Sequence, residues 1–218
     1  MSPQGAHRGS RLRHLTVAPV VRLFGFIPAR PAFDNVIREW IVPAICAQPG
    51  AIDAYAGRHG PDELGPRLVV SVWESREAMD CAFDQLGRPG DVQPETMSGI
   101  DEGTADVLLP TIAYRDGRAL QSPRIIRIFR GRARPGALDQ YVEETRTGVE
   151  EDVAADHGPA AFYLASGPTA EAFTAVSVWS GWNAIELATG GDTRRPMATR
   201  RPELIESFDA THYEAIDL

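Results

Sequence analysis

The tetrapeptide Val-Ser-Val-Trp occurs twice, in LVVSVWESREAM (residues 68–79) and in TAVSVWSGWNAI (residues 174–185). Trp73 and Trp179 stand 106 residues apart in a chain of 218. The likeness extends outward from both copies. VVRLF at 20–24 matches IIRIF at 125–129, an offset of 105. Each is followed by Arg-Pro (Arg30-Pro31, Arg134-Pro135) and an amphipathic stretch, AFDNVIREW against ALDQYVEET. Pro49-Gly50 to Tyr55 matches His157-Gly158 to Tyr163 at offset 108, and the segments opened by Ala105 and Ala210 return to 105. Offsets that drift by so little across separate segments point to a tandem duplication.

Each half reads in the same order. The β-branched and aromatic runs VVRLFGF and IIRIFRG predict a first strand. A helix follows over roughly 33–47 or 137–155, and Pro43 is expected to kink or shorten the first of them. IDAYAG or AAFYLAS gives a second strand, and RLVVSVW or FTAVSVW a third. A second helix starts near Ser75, a candidate N-cap, or near Gly181. ADVLLPTI or THYEAIDL closes the unit. The order β-α-β-β-α-β is the ferredoxin-like arrangement, a member of the α+β class. The expected division is a flexible leader over 1–17, a first repeat over 18–115 and a second over 120–218. One such unit leaves the sheet face away from its helices bare and apolar, so two are expected to pack sheet to sheet within the chain, as an intramolecular α+β barrel.

Strand parity sorts the side chains into faces. Val70 and Val72 share one face with Val21 and Leu23, matched by Val176, Val178, Ile126 and Ile128. The expectation is that these aliphatic faces meet the helices. The mixed faces would then line a cavity between the sheets, with Arg22, Phe24, Tyr55, Ser71 and Trp73 in one half and Arg127, Phe129, Tyr163, Ser177 and Trp179 in the other. An apolar pocket with a few polar groups suits a small molecule. The same residues serve equally as core filling with their polar tips hydrogen-bonded.

Composition limits the partners. The chain is 43% hydrophobic and 24% charged, and its net charge of −8 argues against nucleic acid. Split after Pro110, it carries 10 Arg against 14 acidic residues, then 12 against 16, so neither part is a basic arm. No apolar run reaches the ~18–20 residues of a membrane span, and no signal peptide is recognised, which leaves the cytoplasm as the expected location. Cys46 and Cys81 have no metal-like spacing and are expected to be buried free thiols. No His/Cys/acid cluster has ligand spacing, so no metal is expected. His212 is the one histidine expected on a strand; Val107 stands at its place in the first half. It is the candidate general base, and it is equally readable as a packed structural histidine.

With the element order, the Pro49-Gly50 turn and VSVWES before a helix, the chain resembles the dimeric α+β barrel superfamily, and most of all its antibiotic biosynthesis monooxygenase-like members. The resemblance spans residues 18–218. It implies a cofactor-independent monooxygenase acting with O2 on a small phenolic, hydroquinone or polyketide-type aromatic, with His212, Trp73 and Trp179 as catalytic candidates and the Arg, Phe, Tyr and Ser residues above as substrate-binding candidates. A haem-binding or haem-degrading branch of the superfamily shares the strand tryptophan. That branch places an iron-ligating histidine on the next helix, where this chain has Phe83 or Thr189, and an asparagine on the first strand, where this chain has arginine. A non-catalytic small-molecule or assembly barrel is the third reading. A monomer with an internal pseudo-dimer and a homodimer are both compatible with the repeat.

Overall fold

The computed structural model describes residues 13–14, 19–86, 99–116, 124–155, 158–197 and 201–217. The first half contains β2 (Val20–Pro28), β3 (Ala51–Arg58), β4 (Arg67–Trp73) and β5 (Ile100–Leu108). The second contains β7 (Ile125–Ala133), β8 (Ala161–Ser166), β9 (Ala172–Trp179) and β10 (Ile205–Ala215). A short β1 (Arg13–His14) and β6 (Pro110–Arg115) complete one antiparallel sheet, ordered β1-β6-β8-β9-β7-β10-β3-β4-β2-β5. Within each half the spatial order is therefore second-third-first-fourth strand, as a ferredoxin-like unit requires. Of the expected leader only Arg13 and His14 are described, and they pair with Arg115 and Tyr114. His157 also lies outside the described residues.

The same register appears twice. Val20 to Phe26 of β2 pair in sequence with Trp73 to Arg67 of β4, and Ile125 to Gly131 of β7 pair with Trp179 to Phe173 of β9. Ser75 caps the helix that follows VSVWES, accepting a 3.1 Å hydrogen bond from the Ala78 N–H. Gly50 sits at φ 78, and a Cβ there would lie 2.6 Å from the Ala78 Cβ, so the Pro-Gly turn needs glycine for both reasons.

The first-half helix is broken into α1 (Phe33–Val36), a π turn (Ile37–Ile41) and α2 (Val42–Cys46). Pro43 is the cause the sequence points to: it has no N–H to give and its ring would clash with the carbonyl of Glu39 in a regular helix. The wide turn also shifts the apolar spacing, burying Phe33, Ile37, Val42 and Ile45 and leaving Cys46 outside. Cys81 is exposed too: α3 (Arg76–Leu86) turns Met79 and Ala82 inward. The expectation of buried thiols is thus wrong for both. In the second half α4 (Leu138–Ala154) is unbroken, and α5 (Trp182–Thr189) follows β9. Among the described residues no helix is long and apolar enough to cross a membrane.

On β2, β4, β7 and β9 the assignment of faces is reversed from the sequence expectation, whereas Tyr55 of β3 and Tyr163 of β8 lie between the halves as expected. Val21, Leu23, Val70, Val72, Ile126, Ile128, Val176 and Val178 form a single cluster drawn from both halves. Phe24 and Trp73 pack instead with Phe33, Ile37 and Met79 of the first-half helices. Phe129 and Trp179 pack with Tyr141, Val149 and Ile185 of the second. Tyr55 and Tyr163 belong to the aliphatic cluster. Mostly short aliphatic side chains fill the space between the two halves of the sheet. Larger aromatics fill the furrows that a cylinder leaves over a sheet.

Candidate functional site

The residues singled out in the sequence fall into three groups. On the helix face of the second half, Phe162, Ser177, Arg127 and His212 stand in one row across β8, β9, β7 and β10. The first half repeats the row as Ala54, Ser71, Arg22 and Val107 across β3, β4, β2 and β5. Tyr55 and Tyr163 face the other way, between the halves.

Both tryptophans are fully buried. Each indole N–H donates to the serine two residues before it on the same face, Trp73 to Ser71 at 2.9 Å and Trp179 to Ser177 at 2.8 Å. Each indole N–H is satisfied by its serine, and burial leaves neither ring face exposed for a ligand to stack on.

The two arginines differ in what they hold. Arg127 is 4% exposed; its Nε donates to the Thr193 carbonyl (3.1 Å) and its Nη2 to that of Arg195 (2.6 Å). It thereby straps the segment after α5 onto the sheet, with Phe129 beneath its guanidinium at 4.9 Å. Arg22 lies over two rings, 4.1 Å from the centre of Phe83 and 5.0 Å from that of Phe24. Among the described residues it has neither a carboxylate nor a carbonyl partner, and its pKa is lowered by burial. Cation–π contacts offset part of that desolvation, and no other described residue engages the N–H edge of the guanidinium. Phe83 also meets Trp73 edge to face at 5.6 Å, which ties the Arg22 site to the buried indole behind it.

His212 stands beside Arg127, its ring 5.1 Å from that of Trp182. Burial first, and then the Arg127 charge, pull its pKa down from 6.5 to about 4, and its Nε2 is buried without a hydrogen-bond partner. It is neutral at pH 7 and a weak base. Below pH 6.5 the unfolded chain protonates this imidazole while the folded one does not. Its contribution to stability is therefore full above pH 6.5 and is lost as pH falls through about 4. Urea unfolding at pH 7 and pH 4.5 should show a smaller loss for His212→Gln than for the parent chain.

Two features were not visible in the sequence reading. The strap over Arg127 is held by backbone carbonyls, which carry no side-chain signature. Arg115 of β6 bonds Asp53 through both Nη2 (2.8 Å to Oδ1) and Nε. Neither Asp53 nor Arg115, at the end of the expected first repeat, carries a motif that would flag the pair.

No protein-family model and no curated protein matches the chain. Solved structures do. A candidate monooxygenase from Fusobacterium nucleatum superposes with a TM-score of 0.68 at 11% identity, over 93% of this chain and 94% of its own. One from Lactobacillus acidophilus gives 0.66 at 12%, over 91% and 94%. The chain shares their α+β, ferredoxin-like fold with its large antiparallel sheet. An anthrone oxidase-like protein also matches, with a TM-score of 0.56 at 12% identity over 94% of each chain. At these identities the likeness is one of fold.

Within that fold the helix position of the haem branch does not fit an iron ligand here. Phe83 is committed to Arg22 and Trp73, and the Thr189 hydroxyl donates to the Ile185 carbonyl of its own helix at 2.7 Å.

Proposed function

We propose that the protein is a cofactor-independent, monooxygenase-like enzyme for a small phenolic or hydroquinone-type aromatic, and that its working site is on the helix face of the first half. The observation that carries this reading is Arg22: a partly buried guanidinium between Phe24 and Phe83, without an anionic partner among the described residues. Arg127, its counterpart, is already used by the strap. The two halves close on each other as one intramolecular barrel, on the side of the sheet away from the site. Supporting this, β5 runs into β6 through Leu109, β6 pairs with β8, and β10 pairs with β3.

Arg22 acts by charge. At an effective dielectric constant of about 20, a guanidinium ~4 Å from a phenolate is worth about 4 kcal/mol before desolvation, on the order of one to three pKa units in net effect. A phenol near 10 would thus ionise appreciably around neutral pH without a strong base. His212, at about 4, is not needed for that step, and Tyr55 and Tyr163 stay protonated. The electron-rich anion passes one electron to O2, the resulting radical pair combines at a ring carbon that bears hydrogen, and the peroxide takes up the proton that the phenol released to solvent. Loss of water from the hydroperoxide leaves a carbonyl, one oxygen atom ending in the product and one in water. Phe24 and Phe83 flank the substrate ring, while Trp73 holds Phe83 from behind.

Oxygen uptake over a panel of anthrols and hydroquinones tests the reading: a saturable acceleration over buffer is expected, and none across the panel would remove it. A binding protein without turnover is the second reading, favoured by the buried, mutually satisfied Ser–Trp pairs. It would show saturable quenching of tryptophan fluorescence by the same compounds with no uptake.

A further inference from the structure

The two halves carry a phenylalanine and a glycine in exchanged places on neighbouring strands. In the first half Gly103 of β5 stands opposite Phe26 of β2; in the second, Phe208 of β10 stands opposite Gly131 of β7. Both exchanged pairs fall at the repeat offset of 105. The consequence lies on Phe24 and Phe129, two residues earlier on each first strand and on the same face. Phe129 is stacked between Phe173 at 5.9 Å and Phe208 at 5.5 Å, and is 3% exposed. Phe24 is stacked on Phe26 at 5.3 Å and stays partly exposed. The Phe173 ring lies across Gly131 and so takes the part of Phe26. No described ring takes the part of Phe208 beside Phe24.

Gly103 keeps that place open. Its φ is not positive, so the backbone does not call for glycine, and glycine is otherwise disfavoured in a strand. The requirement is spatial: a Cβ at this position would lie 2.9 Å from both Cε2 and Cζ of Phe24. We propose that Gly103 is a specificity-determining residue of the Arg22 site. It withholds the ring that Phe208 supplies in the second half, and so leaves a face of Phe24 on which a second aromatic ring of the ligand can stack. This role for Gly103 rests on Arg22 anchoring a phenolic oxygen. The guanidinium is 5.0 Å from the centre of Phe24, so a ring fused to the anchored phenol comes to lie against Phe24 and finds the uncovered face. A single-ring phenol leaves that face empty. In the second half the protein fills the place with its own side chain, although Phe208 stays 45% exposed there.

Anaerobic titrations of tryptophan fluorescence with an anthrol and with hydroquinone, on the parent and on Gly103→Phe, test this role. The ratio of anthrol to hydroquinone affinity is expected to fall by about tenfold in Gly103→Phe, as one stacked ring pair is lost. Gly103→Ala pushes on the Phe24 ring without covering it and should lower the ratio by less. A crystal structure of Gly103→Phe should show the introduced ring stacked on Phe24 as Phe208 stacks on Phe129. A parent chain that binds neither phenol removes the Arg22 reading, and the role of Gly103 with it. A parent that binds both, with the ratio unchanged in the variants, overturns the role of Gly103 alone. So does an introduced ring turned away from Phe24 into solvent, since the place would then not accept a ring.

Discussion

Arg22→Gln is expected to raise KM for a phenolic substrate by about thirty- to a hundredfold while leaving the fold intact. The estimate takes the Coulombic attraction of about 4 kcal/mol and subtracts desolvation, leaving roughly 2–3 kcal/mol. Stability should change by about 1 kcal/mol or less, because Arg22 contributes ring contacts and no hydrogen bond among the described residues. Arg127→Gln should do the opposite. It removes two charge-assisted bonds to partly buried carbonyls, costs about 1.5–3 kcal/mol of stability, and leaves KM within a fewfold of the parent. Steady-state kinetics and urea unfolding on both variants separate the two roles. Equal KM effects would mean that both halves bind substrate.

Trp179→Ala is expected to cost about 3–5 kcal/mol, the range for a large buried aromatic whose neighbours cannot collapse into the gap. Trp179 is fully buried against the second-half helices, and its loss also leaves the Ser177 hydroxyl without its donor. For a chain of this size that corresponds to a fall in melting temperature of about 6–20 °C. Trp73→Ala should match it in stability, since Trp73 is equally buried and bonded to Ser71. It should also weaken ligand binding, because Phe83 loses the ring it rests on. Thermal melts and ligand titrations give both numbers. A Trp179→Ala change that abolished activity in a still-folded protein would move the working site to the second half.

The strand order and the corresponding places of Val107 and His212 were legible, because they depend on spacing and on period-two alternation. The register bears this out residue by residue, with Arg22 beside Val107 and Arg127 beside His212. Which face met the helices was not legible. Alternation groups Val70 with Val72 and Ser71 with Trp73, but it is symmetric with respect to the two sides of a sheet. Only the shapes of the opposing layers break that symmetry. Burial of Cys46 failed for a local reason: the π turn ahead of Pro43 rotates everything after it. The difference between Arg22 and Arg127 is also beyond sequence reading. Both stand in near-identical strands, and the partners that occupy Arg127 are the backbone carbonyls of Thr193 and Arg195.

The most direct test is a crystal structure of the chain soaked anaerobically with an anthrol, so that binding is seen without turnover. The account predicts one ligand per chain, on the helix face of the first half, with its phenolic oxygen at hydrogen-bond distance from the Arg22 guanidinium and its rings beside Phe24 and Phe83. A ligand seated at Arg127 and His212, or between the sheets, would contradict it.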